Sequence, residues 1–369
     1  MKRVLFIINS LRSGGAEKIL SDILKGFDYS KYDVSLVYFV SDGVYLNDIP
    51  KEVSVKCLLH MGPRIDHLFR KFLSSFGLLD TYLRYSMRQH TSKYDTIISY
   101  LEGFPTRMHG YIMDKAANNI SFIHTDLSSY CDSSAQFSNR MPQDYVYSKM
   151  NKLVFVSENA KLGFEKVYPK VLTEKIILKN FIDLNSVYGA SKAFKIANHG
   201  FTVVSVGRLS KVKGFDIIPS IARELKNRGK TVYFRIVGGG AEESNLKQTI
   251  IEQNVENAVF LEGFQKNPYP YIQSADIYIS TSHAEGMPLS LCEAMALGKP
   301  IISTRTSGAV ELLKDELGIL VERTTTDFAD AIEKLYLDRN TYHTLSERGI
   351  QFSKSFDRAV YLEKLYHLL

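Results

Sequence analysis

Two glutamates, Glu285 and Glu293, are separated by seven residues, Gly286-Met287-Pro288-Leu289-Ser290-Leu291-Cys292. A β-rich run over 276–280 leads into a loop at 281–287, and Pro288 sits where a helix starts. The helix is expected over 289–297; Gly298 stops it and Pro300 opens the next strand run. The unpaired amides after Gly286 point out of that helix start. The N-terminal end of a helix carries about half a positive charge, so it attracts an anion. A carboxylate beside a phosphate would repel it, so Glu285 and Glu293 are not placed to hold the anion itself. They can accept hydrogen bonds from hydroxyls on either side of it. A diphosphate with a sugar at each end has that layout.

Other loops add cations and glycines. A strand over 201–206 ends in Gly207-Arg208-Leu209-Ser210-Lys211-Val212-Lys213-Gly214, and a helix is expected over 215–228. Arg208 and Lys213 therefore share a loop at the carboxyl end of a strand, where open parallel sheets bind ligands. Arg forks onto two oxygens and Lys supplies a point charge, so the pair suits a departing diphosphate. Lys211 reads as a solvated bystander. A strand at 4–8 runs into Gly14 and Gly15 before a helix over 16–25, whose apolar positions are Ile19, Leu20, Ile23 and Leu24. Two glycines there let a ligand approach the backbone. The spacing lacks Gly-x-Gly-x-x-Gly, which disfavours a nicotinamide oxidoreductase. Gly238-Gly239-Gly240 follows a strand at 233–237 and is a weaker phosphate-turn signal.

Glu285-Gly286-Met287-Pro288-Leu289, with Glu293-Ala294-Met295-Ala296-Leu297-Gly298-Lys299-Pro300, resembles the signature of the family 4 retaining glycosyltransferases of GT-B fold. The resemblance runs the full length, tightest over 201–311 and loosest over 42–118. It implies that Glu285 contacts the transferred sugar and Glu293 the ribose of a sugar nucleotide. The backbone over Gly286, Met287, Pro288 and Leu289 would meet the sugar and diphosphate, with the free amides of its non-proline residues as donors. It also implies that Arg208 and Lys213 neutralise the leaving diphosphate, and that Gly14-Gly15-Ala16-Glu17 lies beside donor and acceptor. Gly238 would approach the nucleotide, and Gly263-Phe264-Gln265 would hold the base. His124, at the end of a strand over 120–123, matches by context a His that faces the donor sugar across the cleft. The Gly-Gly-Ala-Glu and Glu-Gly-Met-Pro segments look most like bacterial enzymes that build capsule, O-antigen or other envelope glycans on a lipid-diphosphate carrier. A UDP-hexose or UDP-N-acetylhexosamine donor is expected.

The chain has 369 residues, enough for two domains, and 45% hydrophobic content supports a sizeable core. Strands alternate with helices throughout, so the expected fold is α/β: two Rossmann-like, doubly wound domains facing across a cleft. The domains are expected at 1–190 and 200–354, with a polar linker at 184–200 and a final helix (355–369) crossing back to the first domain. Cys57, Cys131 and Cys292 are scattered and form no metal spacing, which fits a reduced, cytoplasmic protein. Asp126 and Asp132 are isolated, His124 with Asp126 is too thin for a metal site, and no metal or other cofactor is expected. Met1-Lys2-Arg3 and the apolar run after it are too short for a membrane span.

A net charge of +6 suits an anionic ligand or a membrane surface and does not imply nucleic acid. The stretch 63–93 carries Arg64, Arg70, Lys71, Arg84, Arg88 and Lys93 against Asp66 and Asp80, interleaved with aromatic and aliphatic residues. It reads as a basic amphipathic helix, either lying on the inner face of a membrane or packed on the sheet. The polar, aromatic stretch 128–147 reads as a mobile loop plus helix near an acceptor. The expected partners are a nucleotide sugar and a glycan or lipid-linked glycan acceptor. The competing functions are a GT-B nucleotide-sugar epimerase and a non-catalytic carbohydrate- or membrane-binding protein.

Overall fold

The computed structural model describes residues 1–12, 14–40, 43–59, 63–90, 92–128 and 142–369. The chain divides into two compact units: residues 1–180 with 358–369, and residues 181–357.

The first unit runs β1 (Lys2–Ile8), α1 (Gly15–Lys25), β2 (Tyr32–Val40), β3 (Ser54–Leu59), α2 (Pro63–Ser75), α3 (Leu79–His90), β4 (Tyr94–Ser99), α4 (Phe104–Gly110), β5 (Ala116–Ile123), α5 (Gln143–Ser148), β6 (Lys152–Phe155), α6 (Glu158–Val167) and β7 (Glu174–Ile177). The seven strands are parallel, in the order β3-β2-β1-β4-β5-β6-β7. A parallel sheet is covered on both faces, which is why Val4 to Ile8 is an unbroken apolar run and fully buried. The chain order reverses between β1 and β4, so the loops after those strands open a crevice at the carboxyl edge. Helix α1 buries the four apolar positions expected of it. Helix α6 is capped by Ser157, whose Oγ accepts from the Ala160 amide at 3.1 Å.

The second unit runs α7 (Leu184–Ser191), β8 (Thr202–Val206), α8 (Ile218–Asn227), β9 (Tyr233–Val237), α9 (Glu243–Glu252), β10 (Val259–Gly263), α10 (Tyr269–Ser274), β11 (Ile277–Ser280), α11 (Leu289–Ala296), β12 (Ile301–Thr304), α12 (Ser307–Leu312), β13 (Ile319–Val321), α13 (Thr325–Leu337) and α14 (Arg339–Ser353). Its six parallel strands are ordered β10-β9-β8-β11-β12-β13, with the reversal between β8 and β11. Val203, Phe234, Ile236, Ile277, Ile279 and Ile302 pack against Ile218, Ile221, Phe328 and Ile332 on one face. On the other, Val204, Val237 and Tyr278 meet Leu291, Cys292 and Met295 of α11.

The last helix, α15 (Arg358–Tyr366), belongs to the first unit. Its Tyr366 ring stacks on Tyr32 at 5.1 Å and meets Phe27 edge-on at 5.3 Å.

Two readings of the sequence are corrected. The unit boundary falls at Asn180–Phe181, and the segment expected to be a linker opens with α7, whose Asp183 cap accepts from the Ser186 amide. Apolar Leu184, Val187 and Ala190 bind that helix to the second core, although polar neighbours hid it. The single basic helix expected over 63–93 is two helices, broken where Gly77 takes φ +65°. Of the stretch 128–147, positions 129–141, with Cys131 and Asp132, lie outside the described residues; α5 follows.

Candidate functional site

The site in the second unit is built at the carboxyl ends of β8 and β11, the two strands that meet at the reversal. The loop after β8 carries Arg208 and Lys213. Arg208 is exposed and makes no ion pair among the described residues. Lys213 is part-buried, and its Nζ lies 2.5 Å from Glu285 Oε1. Ser282 Oγ donates to the same oxygen at 2.6 Å. Glu285 is thus held from the loop after β8 and from within its own loop.

Pro288 stands at the N-cap of α11 and Leu289 is its first helical residue, where the sequence placed the start of the helix. The amides of Leu291 and Cys292 close onto the Pro288 carbonyl. Those of Gly286, Met287, Leu289 and Ser290 have no backbone partner among the described residues. The first turn holds no acidic residue. The helix start is therefore a set of open donors at the positive end of a dipole. The loop before it is pinned from α12: the Gly308 amide and Ser307 Oγ both donate to the Glu285 carbonyl, at 3.0 and 3.2 Å.

Glu293 lies one turn further in and is only 8% exposed. Tyr269 OH donates to its Oε1 at 2.8 Å. A buried carboxylate needs such partners, because losing water without them is costly. The turn Gly238–Gly240 closes the other side. The Gly207 amide bonds to the Val237 carbonyl and the Leu209 amide to the Gly239 carbonyl, both at 3.0 Å. A Cβ on Gly238 would stand 1.8 Å from the Gly207 carbonyl oxygen, so only glycine fits. Phe264 follows β10 beside this turn with half its surface exposed, a flat apolar face suited to stacking.

Lys299 is not part of the site. It is buried, and Nζ donates to the carbonyls of Gln273 and Ala275, each at 2.8 Å. Burial lowers its pKa, and the Asp276 carboxylate opposes that shift. The Gly-Lys-Pro end of the signature is thus a structural tie at the C-terminus of α10.

In the first unit, Gly14 is the N-cap of α1 and Gly15 its first residue. His124 follows β5. Its amide donates to Glu102 Oε2 at 2.8 Å, and Thr125 Oγ1 donates to Glu102 Oε1 at 2.7 Å. The ring packs against Tyr100 and Phe122, and Nε2 is buried without a partner among the described residues. Burial pushes the His124 pKa down, with the Glu102 charge acting against it, so the ring is held neutral. Asp126 is spent locally, accepting from the amide and hydroxyl of Ser128.

The structure brings Arg208, Lys213, Gly238, Phe264, Gly286 to Leu289, Glu285 and Glu293 to one edge of the second unit. Gly14, Gly15 and His124 lie on the first unit. Sequence reasoning missed Glu102, Ser282 and Tyr269. Glu102 and Ser282 sit in loops where one polar residue looks like another, and Tyr269 rides on α10, a six-residue helix too short to show a period.

Residues 190–352 match the family model of glycosyl transferases group 1. The whole chain is similar to an uncharacterized glycosyltransferase of Haemophilus influenzae, 24% identical over 365 residues and covering 96% of each chain. It is 27% identical over 346 residues to the N-acetylgalactosamine-N,N'-diacetylbacillosaminyl-diphospho-undecaprenol 4-alpha-N-acetylgalactosaminyltransferase of Campylobacter jejuni, covering 87% of this chain and 86% of that one. Among solved structures it resembles Anabaena HepE in complex with UDP and glucose, with a TM-score of 0.77 at 20% identity over 100% of this chain and 99% of that one. The fold is that of the GT-B glycosyltransferases, and the matched segment holds every diphosphate-side residue named above.

Proposed function

We propose that the chain is a family 4 retaining glycosyltransferase that moves a hexosyl or N-acetylhexosaminyl group from a UDP-sugar to a hydroxyl of a lipid-linked glycan. Its setting would be the synthesis of bacterial surface polysaccharide. The observation that carries this reading is the grouping of Arg208, Lys213 and the open amides of α11 between two carboxylates, Glu285 and Glu293. Cations and amides suit the diphosphate, where charge develops as it leaves, and the carboxylates suit the hydroxyls of the sugar and ribose. In the proposed step the bond from the anomeric carbon to the β-phosphate oxygen breaks, and the acceptor oxygen bonds to the same face of that carbon. The departing phosphate takes the acceptor proton. Two fixed cations meet the leaving charge, so no metal is required. The names of the Campylobacter relative and the Anabaena structure support a lipid-diphosphate acceptor and a UDP donor.

The first unit offers support for a membrane-borne acceptor. Ile65, Leu68, Phe72 and Phe76, spaced three, four and four, are 55 to 65% exposed. Lys71 and Arg84 are exposed nearby, whereas Asp80 is turned inward onto Arg107 and Tyr111. We propose that this stripe rests on the cytoplasmic face of an anionic membrane.

Thermal stabilisation by UDP, GDP, ADP and NAD, each with and without magnesium, tests the donor site. A rise with UDP that is indifferent to magnesium is expected. A rise with NAD alone overturns the reading. Product analysis of donor turnover without acceptor separates an epimerase from a transferase.

A further inference from the structure

Arg323 stands on the loop after β13, outside every motif considered above. Its guanidinium reaches across the carboxyl edge of the second sheet. Nε donates to the Thr281 carbonyl at 3.1 Å, and Nη2 donates to the Gly214 carbonyl at 3.0 Å and to Asp216 Oδ1 at 2.7 Å. One planar fork therefore ties the loop after β11 to the loop after β8. Two more bonds run between the same loops. Thr281 Oγ1 donates to the Lys213 carbonyl at 3.1 Å, and the His283 amide donates to the Val212 carbonyl at 2.7 Å. Gly214 takes φ +61°, and a Cβ there would lie 2.4 Å from the Thr281 oxygen and 2.9 Å from Arg323 Nε. The backbone on the C-terminal side of Lys213 is thus pressed onto its neighbour and clamped from above.

We infer that Arg323 is a positioning residue for the transfer reaction: by gripping the carbonyls of Gly214 and Thr281 it fixes Lys213 where the leaving diphosphate gains charge. The inference rests on the reading of Lys213 as a diphosphate ligand. Misplacing a catalytic group by about 1 Å can cost about a hundredfold in rate. Lysine does not replace arginine here, because an ammonium lacks the planar fork that spans two carbonyls. Asp216 is 70% exposed and meets the guanidinium from the solvent side, so it leaves the two carbonyl contacts intact.

The test compares Arg323→Met, Lys213→Ala and the double variant in a UDP-sugar turnover assay. Arg323→Met should lower kcat about 10- to 100-fold with the donor KM within about threefold. The double variant should be no slower than Lys213→Ala, because the two residues act through one group. Arg323→Lys should stay slow, and millimolar guanidinium should restore part of the rate of Arg323→Ala. Thr281→Val removes one bond to the Lys213 carbonyl without touching the guanidinium. It should show a smaller loss, again in kcat and again absent from the Lys213→Ala background, and it carries the test if Arg323→Met does not fold. If Lys213→Ala is slow but the Arg323 and Thr281 variants match wild type, or multiply its defect in full, the positioning role is wrong. If Lys213→Ala itself turns over at the wild-type rate, the diphosphate reading of Lys213 falls instead.

Discussion

Lys213 Nζ lies 2.5 Å from Glu285 Oε1, so the cation assigned to the diphosphate and the carboxylate assigned to the sugar are paired with each other. A bound diphosphate must compete with Glu285 for that ammonium. Glu285→Gln removes the competitor and leaves a positive charge facing the ligand. UDP should then bind about two- to tenfold tighter, with a steeper loss of affinity on adding salt. Turnover should nevertheless fall by about a hundredfold or more, because the carboxylate that orients the sugar is gone. Calorimetric titration of UDP beside a turnover assay checks both. Weaker UDP binding in the variant would show that Glu285 supports the nucleotide rather than opposing it.

Arg208 and Glu293 should separate the two halves of the donor. Arg208→Ala removes an exposed cation with no ion pair among the described residues, so its loss should appear in kcat, about 100- to 1000-fold, while acceptor KM moves little. Glu293→Ala should act on donor affinity. It should also lessen the preference for UDP over its 2'- and 3'-deoxy analogues, since a buried carboxylate made for hydroxyls no longer penalises their absence. Steady-state kinetics with the three nucleotides as inhibitors tests this. A Glu293 variant that keeps the full preference would place the ribose elsewhere.

Most of the second unit was legible because its chemistry is local in sequence. Glu285, Pro288 and Glu293 lie on one strand-loop-helix unit, and Arg208 and Lys213 on one loop, so spacing alone put them together. What could not be read was the support. Ser282 meets Glu285 within one loop and Tyr269 reaches Glu293 from α10, and nothing in their neighbours marks them. Helix α7 escaped because only Leu184, Val187 and Ala190 hold it to the core, too few to show a period. The helical reading of 63–93 was right in kind and wrong in number, because one glycine, Gly77, breaks it and a lone glycine is not a certain stop.

His109 makes a stability prediction that is independent of catalysis. It is fully buried on the inner face of α4, with Nε2 2.9 Å from Asn119 Oδ1 and Nδ1 3.2 Å from Ser99 Oγ. Asn119 Nδ2 donates to two carbonyls, so Oδ1 accepts and the imidazole is the neutral, Nε2-protonated form. Burial pushes its pKa from 6.5 down to about 4. Below pH 6.5 the unfolded chain takes up a proton that the folded chain refuses until about pH 4. Stability is therefore fully present above pH 6.5 and is lost as pH falls through that window, by on the order of 3 kcal/mol. His109→Gln should be less stable than wild type at pH 7 yet lose less between pH 6.5 and 4. Urea midpoints of both proteins at pH 7 and 4.5 measure the difference, and parallel losses would mean that His109 titrates normally.

The apolar stripe along α2 and the residue after it, Phe76, gives the prediction that bears on the acceptor. Leu68, Phe72 and Phe76 cover no core, and the rings of Phe72 and Phe76 stand 4.8 Å apart as a paired wedge. Leu73, on the adjoining face, is buried and anchors the helix to the sheet. Changing Leu68, Phe72 and Phe76 together to Ser should thus leave the melting temperature within about 2 °C, since exposed positions contribute little to stability. The same change should abolish sedimentation with vesicles containing phosphatidylglycerol. Lys71→Glu with Arg84→Glu should weaken it by about thirtyfold or more and make what remains less salt-sensitive, because each basic residue near an anionic surface contributes about 1 kcal/mol. Turnover of a short, water-soluble acceptor should be unchanged in both variants, while turnover of a lipid-linked acceptor in vesicles should fall. If the triple variant still sediments with vesicles, the membrane is met by another surface; if it also loses turnover on the soluble acceptor, the stripe serves the acceptor glycan itself.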